Sequence, residues 1–231
     1  MIYVLVDGKR MQKICDGLYA KKVEDCQKFK ANDVLVLPLH WENKVIGKHI
    51  KIEDLQNLRI FLPYQNDILP KSNAFYFYME DENVLMYNAK LTALGILNKM
   101  SDMHINLYDL KIDIIGYGKC AKALMLLCDV MQIKYQCIYH KDNENTIYLD
   151  ANYNASKVLI NTAPVCIFDE NDQRIKNMEY IIDISSNKCM KKIQGKTATQ
   201  IIFPGSLPQL YYCESASKLI ENFIRREINE E

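Results

Sequence analysis

The sequence predicts an α/β protein of two domains, each a parallel sheet with helices, the second doubly wound around a glycine turn. Three observations predict it. Short apolar runs rich in branched and aromatic residues alternate with amphipathic stretches along the 231 residues, the pattern of parallel strands covered by helices. The strand–helix series starts at MIYVLV and starts again at KIDIIG. The segment from Lys111 to Leu127, KIDIIGYGKCAKALMLL, reads as a buried strand, a tight turn and a helix. Its Gly116, Gly118 and Ala121 keep the G-x-G-x-x-[GA] spacing of a dinucleotide-binding turn. The expected division is a smaller α/β domain over residues 1–87 and a nucleotide-binding domain over residues 88–231.

In the first half, MIYVLV is a short buried strand. GKRMQKICDGLYAKK is an amphipathic helix with Met11, Ile14, Cys15 and Leu18 on one face. DVLVLPL is a second strand ended by Pro38. A short helix is expected over Lys51 to Leu58, then strands at RIFLPY and NAFYFYM. A helix beginning near Asn88 connects the halves, with Leu91, Leu94, Ile96 and Leu97 among its apolar positions. In the second half, the strand before the glycine turn is followed by four more, at KYQCIYH, SKVLINTAP, MEYIIDISS and TQIIFPG. A helix from Cys213 to Glu231 closes the chain, with Ala216, Leu219, Ile220 and Phe223 on one face. Only HKDNENTIYLDANYNA separates KYQCIY from SKVLINT, too short for a helix, a strand and a second helix. A crossover is therefore shortened on the side where an adenosine ribose would lie.

The glycine turn carries the clearest chemistry. Gly116 permits a sharp turn off the strand, Gly118 lets backbone approach a pyrophosphate, and the small Ala121 lets the helix pack on the strand. With Lys119, these residues would place free N–H groups and a positive dipole end at an anion. The same spacing also serves a tight strand–helix turn with no ligand. His140 and Lys141 follow the next strand, where a basic group can meet a 2′-phosphate; solvated loop charges beside Asp142 and Glu144 are the plainer reading. His40 and Trp41 follow the LPL strand end, with Trp41 read as packing surface.

Composition narrows the partners. Lys+Arg and Asp+Glu are both 29, so the basic excess of a general nucleic-acid or anionic-membrane surface is missing. No apolar run spans a bilayer, and the start lacks a basic segment followed by an apolar one, so secretion is not expected. None of the eight cysteines forms a C-x-x-C pair and no histidine stands at zinc-knuckle spacing. They read as reduced, mostly buried thiols of a cytoplasmic protein that needs no metal. Cys120 lies at the turn, beside a helix N-terminus that could lower its pKa.

The order VLMYNAKLTALGILNKM, IDIIGYGKCA, LINTAP, IIDISS and FPGSLP resembles the A subunit of dipicolinate synthase, a relative of two-domain NAD(P)-dependent hydroxy-acid dehydrogenases. The likeness is that of a divergent, shortened member. It covers most of the chain from YNAKLT onward and more faintly DVLVLPL and RIFLPY. It implies a cytoplasmic, bacterial protein of sporulation, with a Rossmann domain and a smaller flavodoxin-like domain. It implies NADP or NAD as cofactor, and a small carboxylic or heterocyclic acid of the lysine–dipicolinate pathway as substrate. The implied partner is a flavoprotein-like B subunit; a homo-oligomer is left open.

Residue by residue, the resemblance places Gly116, Gly118 and Ala121 on the family's glycine turn. Asn161, Thr162 and Pro164 match its Asn-Thr-x-Pro, and Asp183 and Ser185 fall in the family's Asp/Ser stretch at the next strand end. Pro204, Gly205, Leu207 and Pro208 match a Pro-Gly-Leu-Pro loop with Ser206 inserted. Tyr87, Asn88, Thr92 and Gly95 match the connecting helix. The cofactor set is then Gly116, Gly118, Lys119, Ala121, His140, Asn161, Thr162, Pro164, Asp183 and Gly205. The substrate cleft is Thr92, Pro204, Leu207 and Pro208. Asn161, Thr162 and Asp183 could equally serve only the backbone around them.

Three departures bear on activity. Leu94 stands where the family has a carboxylate, Glu214 where it has a basic residue, and VLVDGKRMQ has only Gly8 where it has paired glycines, although Arg10 and Gln12 fit. No catalytic residue is assigned. Two functions follow: an NAD(P)-binding oxidoreductase, or a non-catalytic nucleotide-binding or assembly subunit on the same scaffold. The shortened crossover predicts weak NAD(P) binding.

Overall fold

The structure, a computed structural model, describes residues 1–139, 147–148, 153–165, 168 and 171–229. It divides into two compact units, Met1–Asn88 with Pro208–Glu231, and Ala89–Leu207.

The first unit holds a five-stranded parallel sheet. Its strands are β1 (Ile2–Val4), β2 (Lys21–Lys22), β3 (Val34–Val36), β4 (Arg59–Leu62) and β5 (Ala74–Phe77), in the order β2-β1-β3-β4-β5. This is the flavodoxin order, with its switch point between β1 and β3. Alternating side chains divide between the two faces. Tyr3, Leu35, Leu37, Ile60 and Leu62 form one core with Trp41, Leu55 and Leu58. Val4, Val34, Val36 and Phe61 form the other with helices α1 (Lys9–Gly17) and α6 (Cys213–Asn229), the latter preceded in the chain by the short α5 (Leu207–Tyr211). Met11, Ile14 and Cys15 of α1 and Ile220, Phe223 and Ile224 of α6 supply its helical side. Phe61 stacks on Tyr76 at 4.6 Å between centroids and meets Phe223 edge-on at 6.1 Å.

The C-terminal helix therefore belongs to the first unit, not to the second domain as expected, because its apolar stripe is shared with α1. Two local expectations also change. The helix expected over Lys51–Leu58 is a single 3-10 turn, Ile52–Asp54. Asn73 takes up the neighbouring backbone, accepting from Leu58 N at 2.8 Å and donating to Leu55 O at 2.7 Å, so the chain leaves the helix to bury Leu55 and Leu58. A helix instead follows β3: α2 (Trp41–Gly47), with Trp41 only 3% exposed.

Helix α3 (Glu82–Asp102) contains the division between the units. It starts before Asn88 because Asp81 caps it, accepting from Val84 N at 2.9 Å.

Among the described residues the second unit holds six parallel strands: β6 (Ile112–Ile115), β7 (Tyr135–Tyr139), β8 (Ile147–Tyr148), β9 (Val158–Asn161), β10 (Tyr180–Asp183) and β11 (Gln200–Ile202). Their order, β11-β10-β9-β6-β7-β8, is the doubly wound order 3-2-1-4-5-6 of a dinucleotide-binding sheet. The expected five strands become six because the two-residue β8 pairs with β7. Helix α4 (Lys119–Met131) joins β6 to β7 and packs on both through Ala121, Leu124, Met125 and Cys128. Opposite, Ile115, Ile138, Leu159, Ile181 and Ile201 are covered by Phe168, Ile175, Met178, Met190 and Ile193. These come from loops and two 3-10 turns, Gln173–Asn177 and Cys189–Lys192, where a doubly wound sheet ordinarily has helices.

The shortened crossover expected after residue 140 lies mostly outside the described residues. Where the chain is described again, residues 153–157 are not helical. They are held by Asp113, a fully buried carboxylate on β6 that accepts from Tyr153 Oη, Ser156 N (2.7 Å) and Gln136 Nε2 (2.6 Å). Burial, then Asp113, pushes the Tyr153 hydroxyl far above its ordinary pKa, so it stays a donor. This polar clamp holds down a connection that no described helix covers.

Candidate functional site

The C-terminal ends of β6, β7 and β9 surround a cavity of about 600 Å³. Ile115, Gly116, Tyr117 and Gly118 form its floor. Ile138 and Tyr139 stand on one side, and Thr162, Ala163, Pro164 and Val165 on the other. This is the switch point of the sheet, where neighbouring strands connect in opposite directions and leave a crevice.

Local physics fixes the floor. Gly116 has φ +103°, and a Cβ there would lie 2.6 Å from Thr162 Oγ1. Thr162 cannot easily yield, because its hydroxyl donates to Ile115 O at 2.7 Å. The end of β6 is braced on both sides by Gly116 N to Ile138 O and Thr162 N to Ile115 O, each 3.0 Å. Buried Cys137 donates to Gly116 O at 3.2 Å, and burial pushes its thiol up to about 11.

Gly118 is different. Its φ of −78° suits any residue, and a Cβ there would meet nothing within 4 Å. The fold does not demand glycine at this position; its missing side chain leaves open space at the start of α4. No described side chain caps that helix, and the first-turn N–H groups of a helix have no carbonyl within it to bond. A pyrophosphate fits this donor set in size and charge.

The structure sorts the expected residues. Gly116, Gly118, Thr162 and Pro164 line one cavity. Lys119 opens α4 and is exposed, and Ala121 is fully buried against the sheet. Asn161 and Asp183 face inward. Asn161 donates to Asp183 Oδ1 at 3.0 Å and accepts from Ala163 N at 3.2 Å. Asp183 also accepts from Ser185 N and Met190 N, both at 2.9 Å. Asn161 therefore positions the loop that lines the cavity, and Asp183 holds two backbone segments. Gly205 sits at φ +71° in an exposed loop away from the cavity lining. His140 lies outside the described residues.

The residues expected in a substrate cleft serve packing to a large extent. Thr92 is 9% exposed and hydrogen-bonds Cys120. Burial raises the Cys120 thiol and the Thr92 bond only partly opposes this, so the helix terminus does not make it a reactive thiolate. Leu207 is 1% exposed and fills the space that Gly95 leaves, where a Cβ would stand 2.7 Å from Leu207 Cβ. Pro208 is buried and Pro204 half-buried.

Sequence reasoning missed Tyr117 and Tyr139 as lining residues. Their rings stand 5.6 Å apart at 36°, and Lys122 Nζ lies 4.6 Å from the Tyr117 centroid. Tyr139 ends the second strand about twenty residues beyond the turn, where a carboxylate for the ribose is usual; that spacing was the available signal. The described lining carries no carboxylate and no histidine. Among the described residues, no group of three or more His, Cys, Asp and Glu is placed to hold a metal ion. No described helix is long and apolar enough to cross a membrane.

The same architecture recurs among solved structures. The crystal structure of the dipicolinate synthase A subunit from Bacillus halodurans superposes with a TM-score of 0.73 at 12% identity, covering 100% of this chain and 98% of that one. The dipicolinate synthase A chain from Bacillus subtilis gives 0.71 at 14% identity, covering 99% and 95%. This chain is similar in fold to the A subunit of dipicolinate synthase. No family model matches the sequence, and no curated protein matches it. The two-unit α/β architecture expected from the resemblance is thus the one observed.

Proposed function

We propose that the second unit binds NAD or NADP on its glycine turn, and that the chain is an oxidoreductase-type protein of the dipicolinate synthase A kind. One observation carries this reading: the open cavity above Gly118, at the switch point of a sheet in dinucleotide-binding order. The likeness in fold supports the class. The first turn of α4 would hold the pyrophosphate, Thr162 and Pro164 would form the opposite wall, and Tyr117 and Tyr139 would shelter one end from water. A bound nicotinamide would supply hydride transfer. The substrate on this reading is a small carboxylic or heterocyclic acid of the lysine–dipicolinate pathway. A flavoprotein-like B subunit is the proposed partner, and the cytoplasm the proposed location.

A second reading is a nucleotide-binding or assembly role without catalysis. It is favoured by the absence of a carboxylate and a histidine from the described lining and by Leu94 in the carboxylate position. Calorimetric titration with NAD and NADP tests what the two readings share. Saturable binding with Kd on the order of 100 μM is expected, because few polar contacts offset the cost of ordering the ligand. No heat and no saturation with either nucleotide would remove the oxidoreductase reading and the nucleotide-binding form of the second, leaving assembly alone. Absorbance at the nicotinamide band, with small carboxylic acids as substrates, then separates them.

A further inference from the structure

We infer that Arg10 forms a second anion site, in the first unit, for the carboxylate or phosphate of a small ligand. Arg10 lies just after β1, beside the β1–β3 switch point, the place in a flavodoxin-ordered sheet where ligands meet the strand ends. Among the described residues its guanidinium lacks a counter-charge. No described carboxylate forms an ion pair with it, and the titratable groups that act on it are Tyr78, Cys213 and Tyr64. Its Nε is sealed from solvent with no acceptor. Among the described residues its Nη2 reaches only Ala216 O, at 3.4 Å, the outer limit of a hydrogen bond. Burial pulls its pKa down. Nearby acids are engaged elsewhere: Asp7 pairs with Lys44 and Glu214 with Lys13.

Buried cations are ordinarily paired, because removing charge from water is costly. An arginine kept here without a partner is one whose partner arrives with the ligand. The residue keeps part of its surface open, and a planar guanidinium favours the two-oxygen edge of a carboxylate or phosphate. The site lies in a different unit from the glycine turn, so either can fail without the other.

The test is a thermal-shift titration of the full chain at constant ionic strength, with malonate in one arm, inorganic phosphate in a second and chloride as control. Wild type and Gly118→Val should both gain a saturable rise in midpoint, and Gly118→Val combined with Arg10→Met should lose it, since in that background the glycine turn is closed to anions as well. The arm that saturates at lower concentration identifies the anion. In chloride alone Arg10→Met should melt higher than wild type, because it removes an uncompensated buried charge. Should Arg10→Met not fold, Arg10→Lys keeps the charge without the fork, and should weaken the apparent affinity about tenfold. No response in wild type up to about 100 mM would overturn the inference. So would a response lost in Gly118→Val, a response kept when Arg10→Met is added to Gly118→Val, an undiminished one when Arg10→Lys is added to it, or a lower midpoint of Arg10→Met in chloride.

Discussion

Replacing Gly116 by alanine should destabilise the second unit by about 2–5 kcal/mol, whereas Gly118→Ala should change it by less than about 0.5 kcal/mol. Two terms make up the first figure. A φ of +103° is a backbone state that a side chain enters at a cost of about 1–2 kcal/mol. The new Cβ would also lie 2.6 Å from Thr162 Oγ1, and crowding of a packed site costs about 1–3 kcal/mol. At Gly118 neither term arises, since φ is −78° and a Cβ meets open space. The double variant Gly116→Ala with Thr162→Ala should recover the crowding term, less about 1 kcal/mol for the lost bond to Ile115 O. Tryptophan fluorescence would report only on the first unit, because the single tryptophan is Trp41. Hydrogen exchange of peptides spanning residues 112–125 is the suitable assay. Equal protection in wild type and Gly116→Ala would refute the reasoning, and so would equal losses in the two alanine variants.

Three further outcomes are expected. Gly95→Ala should lower the melting temperature by an amount equivalent to about 1–2 kcal/mol, because overlap with Leu207 outweighs a gain of about 1 kcal/mol in helix propensity; an unchanged midpoint would show that the contact is soft. Asp183→Ala should cost about 3–5 kcal/mol in denaturant titration, since it strips acceptors from Asn161, Ser185 and Met190; a fully stable variant with altered nucleotide binding would instead make Asp183 a ligand contact. Alkaline pH should destabilise the second unit. Burial raises the Cys128 and Cys137 thiols from 9.0 to about 11 each, so the unfolded chain loses these protons first and stability falls as pH rises through that window. Urea midpoints that fall equally over that window in a Cys128→Ala, Cys137→Ala double variant would exclude this cause.

Much of the fold was legible because it rests on local pattern. The short apolar runs in IDII, VLIN and YIID, buried along their length, the stripe of α1 and the spacing around Gly116 are short-range signals, and each names its element. What was not legible depends on distant partners. Asn161 and Asp183 look like ligand contacts at strand ends, yet they bond each other across 22 positions. The C-terminal helix carries an apolar stripe, but only the packed structure shows that α1 receives it. The helix at Trp41 was missed because His40 enters it in a left-handed conformation with no capping side chain. Asp81, three residues before Val84, was a readable cap that the apolar positions of α3 obscured. Asp113 was also readable, as a charge inside an otherwise apolar strand.

The central claim is that the space above Gly118 is a nucleotide site. Calorimetric titration of folded Gly118→Val with NAD and NADP, beside wild type, tests it most directly. A valine there should leave the unit folded, since nothing in the fold meets its Cβ, while its branched side chain fills the pyrophosphate position. The account predicts saturable binding in wild type and a loss of at least about a hundredfold in Gly118→Val, the scale of blocking a charge-assisted phosphate contact. Binding of equal strength in both proteins would contradict it.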